Sequence, residues 1–124
     1  MNPFSPDLLR SLTQTHGTPL WVYDAATIRS RINELRAFDT IRFAQKANSN
    51  LQLLRLMRDE GVVVDAVSLG EIERALAAGF SARNEGASGI VFTADVIDRA
   101  TLAKVVAESI PVNAGSVDML HQLG

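Results

Sequence analysis

The chain contains no cysteine. That excludes disulfides, thiolate zinc sites and a cysteine nucleophile within it. Its two histidines, His16 and His121, stand alone and in no metal-ligand spacing. Each reads as a solvated or capping residue, and no metal site is expected. No GxGxxG run follows any predicted strand, which counts against a dinucleotide site. No charge sign dominates: 12 basic residues face 14 acidic ones, for a net charge of −2. Neither nucleic acid nor an anionic membrane is therefore an expected partner. No apolar run approaches the length of a membrane span. The opening MNPFSPDLLR lacks the basic-then-apolar order of a signal peptide. The expectation is a soluble, cytoplasmic protein.

What is present is a chain of 124 residues, 47% apolar, which suits one domain with a core. Ser5, Pro6 and Asp7 form a helix-start signature, Leu8, Leu9 and Leu12 give that helix an apolar side, and Gly17 ends it. Residues 19–23 read as a strand, and Asp24 caps a helix with Ile28, Ile32 and Leu35 inward. From residue 41 strand and helix alternate. The predicted strands are 41–46, 62–67, 90–93 and 111–114. The helices between them start at Asn50, Ser68 and about Asp98, and a last one at Ser116. Gly61 and Gly79 stop the first two of these. Strand 62–67 is nearly all apolar, as a strand covered on both faces should be. The inward residues are Ile72, Ala75 and Leu76, then Leu102, Val105 and Val106, then Val117 and Leu120. The polar run 81–89 reads as a surface loop. Four βα units fit a parallel sheet with right-handed crossovers. This pattern alone leaves a barrel and an open doubly wound sheet both possible.

Four residues stand where chemistry could be carried. Lys46 closes the first strand of the repeat, and its plain alternative is a solvated lysine at a strand terminus. Asp65 ends the second strand, and by sequence alone its plainer reading is a strand-end acid in water. Ser68 and Glu71, in S-L-G-E, fit the capping box, in which each satisfies the other's helix-start donor. Asn48 reads as fixing the turn after the first strand, and Ser116 as a cap.

The run FAQKAN, residues 43–48, resembles the F/Y-A-x-K-A-N signature of the fold-type III pyridoxal-phosphate decarboxylases. PLWVYDAATIR, LRLMRDEGVVVDAVSLGEIERALAAGF, VFTADVIDRATL and IPVNAGSVDMLHQLG are similar to one branch, the bacterial diaminopimelate decarboxylases. The resemblance runs nearly continuously from Pro19 to Gly124 and covers about the first third of a family member. It implies an α/β fold: the N-terminal half of a (β/α)8 TIM-type, alanine racemase-like barrel, with about four βα units. Residues 1–40 would hold a helix, a strand and a helix, and residues 41–124 the four units. The second half-barrel and the β domain, with which strand 19–23 would pair, would lie outside the chain. The cofactor implied is pyridoxal 5'-phosphate, held covalently by Lys46 with Asp65 beside it. Lys46, Asp65 and Glu71 are the implied catalytic residues. Such chemistry needs an amine that can be neutral, and burial disfavours the ammonium form.

The reaction implied is decarboxylation of meso-2,6-diaminopimelate to L-lysine and carbon dioxide. The partners implied are a small amino-acid substrate and, for the full-length enzyme, a second identical subunit. The family's phosphate-binding glycine turn, its acid at the pyridine nitrogen, and its stacking histidine, cysteine and tyrosine lie beyond Gly124. By itself the chain is expected to be inactive. Two other readings stay open here: a non-catalytic short form that partners a full-length subunit, and a relative acting on ornithine or arginine.

Overall fold

Short polar side chains stand where helices begin, and in the computed structural model each one caps its helix. The structure describes residues 3–82 and 88–124. They form two compact units, Met1–Leu35 and Arg36–Gly124. In the first unit, Ser5 Oγ accepts from Leu8 N at 3.2 Å and starts α1 (Pro6–His16). The bond satisfies one of the amides that a helix start leaves without a partner. Asp24 does the same for α2 (Ala25–Glu34), accepting from the Thr27 amide at 2.8 Å and the Thr27 hydroxyl at 2.6 Å. Ile32 is the buried residue of α2, whereas α1 buries none. The strand expected over residues 19–23 does not form. Its apolar and aromatic character is real, but a strand needs a partner ladder, and none is present among the described residues. Trp21 stays 85% exposed.

The second unit carries the repeat: β1 (Arg42–Ala44), a 3₁₀ turn (Gln45–Ala47), α3 (Leu51–Asp59), β2 (Val63–Ala66), α4 (Leu69–Ala77), β3 (Ile90–Phe92), α5 (Arg99–Glu108) and α6 (Val117–Leu123). The strands are parallel and ordered β1-β2-β3. Phe43 pairs with Val64, which pairs with Ile90, and Ala44 pairs with Asp65, which pairs with Val91. The fourth strand shrinks to one parallel bridge, Phe92 to Val112. Two hydrogen bonds hold it, Phe92 N to Pro111 O and Asn113 N to Phe92 O, both 2.9 Å. Each strand thus lies beside its neighbour in sequence, with no reversal of order. That progression belongs to a barrel rather than to a doubly wound sheet. The unit is the N-terminal half of a (β/α)8 barrel.

One face of the sheet makes the core. Val64, Ala66, Ile90 and Phe92 are buried with Leu54 of α3, Ile72 and Ala75 of α4, and Val105 of α5. Phe43 packs at the margin of this cluster. The other face is open: Arg42 and Ala44 are exposed, and Val63, Asp65 and Val91 are half-buried. β2 is therefore covered on one face, not on both as its apolar run suggests. Its alternation places Val64 and Ala66 under the helices and Asp65 opposite them. In α6 the buried residue is Met119, while Val117 and Leu120, expected inward, are exposed. In α5, Thr101 and Val105 are buried and Val106 is exposed. Of the loop expected over 81–89, residues 83–87 lie outside the described part.

Candidate active site

Parallel strands bring their C-terminal ends to the same end of the sheet, and the candidate residues gather there. Strand β1 stops two residues short of the expected position, and the chain turns into the 3₁₀ segment Gln45–Ala47. Asn48 N donates to Gln45 O at 3.0 Å and closes that turn. Asn48 Oδ1 accepts from Asn50 N at 3.0 Å, and Asn50 Oδ1 accepts from the first amides of α3. Lys46 therefore projects from a turn, not from a strand face, because the polar run after Ala44 supplies caps and turn bonds instead of a ladder. It is exposed rather than buried. Among the described residues, its amine has no hydrogen bond or ion pair.

The preceding residue takes the buried position. Gln45 continues the period-two face of Phe43 and is fully buried. Its Nε2 donates to Glu71 O, in the first turn of α4, at 2.8 Å. Among the described residues its Oε1 is buried without a partner. A polar residue falling on the core face of a strand was the sequence signal for this contact.

Asp65 sits on the open face of β2, level with Ala44 of β1 and Val91 of β3. The hydroxyl of Thr93, directly after β3, donates to Asp65 Oδ1. Arg42, on the same face, does not pair with Asp65. Its guanidinium donates to Val64 O at 3.0 Å and Ser88 O at 3.4 Å. Neither Thr93 nor Arg42 stood out as a functional residue by pattern. Their contacts join strands 22 to 46 residues apart in the chain.

Glu71 opens α4, where Ser68 Oγ accepts from its amide at 3.3 Å. Its own carboxylate reaches back to accept from Val67 N at 3.0 Å. The capping-box partner would be the amide of Ser68, so the return bond lands one residue earlier. Lys46, Asp65 and Glu71 thus share the C-terminal end of the sheet, Glu71 with its carboxylate already bonded to backbone. The set offers an accessible primary amine, an oriented carboxylate and a helix start, which suits covalent capture of a carbonyl compound. Among the described residues, no three His, Cys, Asp or Glu side chains cluster as metal ligands. Nor is any described helix long and apolar enough to cross a membrane.

Comparison with known proteins adds four findings. Residues 25–124 match a family described as pyridoxal-dependent decarboxylase, pyridoxal binding domain. The chain is similar to diaminopimelate decarboxylase of Escherichia coli K12, at 63% identity over 118 residues, covering 95% of this chain and 28% of that protein. It also superimposes on a crystal structure of a diaminopimelate decarboxylase with a TM-score of 0.90 at 61% identity, covering 94% of this chain and 28% of that one. A Helicobacter pylori diaminopimelate decarboxylase complexed with L-lysine superimposes with a TM-score of 0.80 at 32% identity, covering 93% of this chain and 29% of that one. The chain spans little more than a quarter of the length of these relatives.

Proposed function

This chain belongs to the family of pyridoxal-dependent decarboxylases, and we propose that it supplies the lysine-bearing part of a diaminopimelate decarboxylase. The reaction proposed is meso-2,6-diaminopimelate to L-lysine and carbon dioxide, carried out in the cytoplasm by the complete protein as a homodimer. The observation that carries the reading is the Lys46 amine on the turn beyond β1, exposed and without a partner among the described residues, in a chain 63% identical over 118 residues to a diaminopimelate decarboxylase.

The residues present fit the aldehyde end of pyridoxal 5'-phosphate. Lys46 Nζ is an accessible primary amine, and Asp65 stands on the open face at the same end of the sheet. When bound, the cofactor supplies an electron sink for the pair released as the carboxylate leaves. Lys46 Nζ would hold the cofactor through its aldehyde carbon. It is also the group placed to return the proton that replaces carbon dioxide. Asp65, with Oδ1 held by Thr93, orients a cationic amine, either that of Lys46 or that of the substrate. Glu71 lies at the margin of the site, where its carboxylate fixes the Val67 amide.

The test uses the complete protein carrying this segment, incubated with pyridoxal phosphate and borohydride. Reduction converts the link into a secondary amine, which trypsin cannot cleave. The label should appear on one peptide running from Phe43 to Arg55, with cleavage at Lys46 lost. It should vanish in Lys46→Ala. Label spread evenly over surface lysines, and unchanged in Lys46→Ala, would sink the assignment.

A further inference from the structure

Gln45 is a costly residue for a buried position. It is fully enclosed, yet among the described residues Oε1 has no partner. A buried polar atom left unpaired lowers stability, because the water it gave up is not replaced. Among the described residues its single side-chain hydrogen bond, Nε2 to Glu71 O, does not rescue an orphan. Glu71 O lies inside α4, where the amide four residues on is its regular partner. A methionine has the same length, no branch and no polar atoms to satisfy, and would fill the space. Stability therefore does not account for an amide here.

What the amide does is join two elements. Its backbone carbonyl closes the 3₁₀ turn that carries Lys46, and its side chain ties that turn to α4. Glu71 then extends the connection. Its backbone oxygen takes Gln45, and its carboxylate takes Val67 N, two residues beyond Asp65. The path Gln45–Glu71–Val67 links the lysine turn after β1 to the end of β2 that carries Asp65. We infer that Gln45 is a positioning residue: through Glu71 it brackets the Lys46 turn against β2, so that the amine and the Asp65 carboxylate keep one relative placement. The inference rests on the proposed role of Lys46.

The test is Gln45→Met in the complete protein. The melting temperature should equal or exceed that of the wild type. Amide exchange at residues 45–48 should quicken while that of β2 does not. The rate of borohydride-trapped pyridoxal attachment at Lys46 and kcat should both fall about tenfold or more, the scale of a slightly misplaced reacting group. KM for diaminopimelate should stay within about twofold, because Gln45 touches no substrate. If attachment, kcat and exchange match the wild type, the bracket is wrong. A lower melting temperature with unchanged attachment per folded molecule assigns Gln45 to stability and also overturns it. Should Gln45→Met not fold, Gln45→Leu is read in the same way, and failure of both again assigns stability. Absence of label at Lys46 in the wild type would remove the cofactor reading itself. Label that is present but indifferent to Gln45 would remove only the bracket.

Discussion

At position 71 a carboxylate is spent on a backbone amide, and its charge is incidental to that bond. Gln keeps a side-chain oxygen in the same place, whereas Ala removes it and strands Val67 N. Glu71→Gln should therefore melt and turn over close to wild type in the complete protein. Glu71→Ala should lose about 1 kcal/mol, the scale of a lost helix-start bond. Thermal melts alongside turnover decide the matter. A Glu71→Gln protein of normal stability but little turnover would make the charge chemical. Single residues were unevenly legible. Lys46 and Asp65 could be placed at one end of the sheet from the order of strands and turns alone. The S-L-G-E spacing pointed to capping, but not to Val67 as the amide that Glu71 would choose. Gln45 carried a signal, a polar residue on the core face of a strand, but its partner did not show, because it lies 26 residues away.

At the scale of elements, helix starts respond to acid in a definite direction. The Thr27 hydroxyl first, then the Thr27 amide, hold the Asp24 carboxyl below its ordinary value of 3.8. The Thr101 amide first, then its hydroxyl, do the same for Asp98. A depressed carboxyl contributes stability above its unfolded value and loses it as the pH falls through the folded one. The melting temperature should therefore drop as the pH falls below 3.8. Asp98→Asn, which caps without titrating, should flatten part of that limb in a circular dichroism series. Superimposable limbs would show that the caps do not contribute. The C-terminus of α4 offers a second check. Gly79 has a φ of 92°, and Arg58 Nη1 occupies the place a Cβ would take while donating to Ala78 O at 2.5 Å. Gly79→Ala should cost about 1–2 kcal/mol in backbone strain, and more through the displaced Arg58. Gly61→Ala meets nothing nearer than 3.9 Å and should cost only the backbone share. Equal losses in urea titrations would refute the Arg58 contribution. The caps at Ser5, Asp24, Asn50, Ser68, Asp98 and Ser116 were all legible, because each bonds an amide two or three residues ahead.

At the scale of the whole molecule, the barrel half presents surfaces that only further structure can close. Among the described residues β1 pairs with β2 alone, and beyond the 92–112 bridge no strand follows. Open edges and an open inner face invite pairing with another chain. Val96, Val106, Val117 and Leu120 are more than half exposed. Residues 1–124 expressed by themselves should release neither lysine nor carbon dioxide from diaminopimelate with pyridoxal phosphate, and should self-associate in sedimentation. A monodisperse monomer with steady turnover would overturn this. The sequence by itself determined where helices begin and stop, the strand–helix alternation and the candidate lysine. All of these rest on residues within a turn or two of one another. Tertiary structure decided that residues 19–23 find no ladder, that Lys46 stands on a turn, and that Met119 rather than Val117 and Leu120 turns inward. It also decided that Gln45, Glu71 and Val67 join β1 to β2. Each of these depends on which distant segment comes alongside, and local periodicity does not encode that approach.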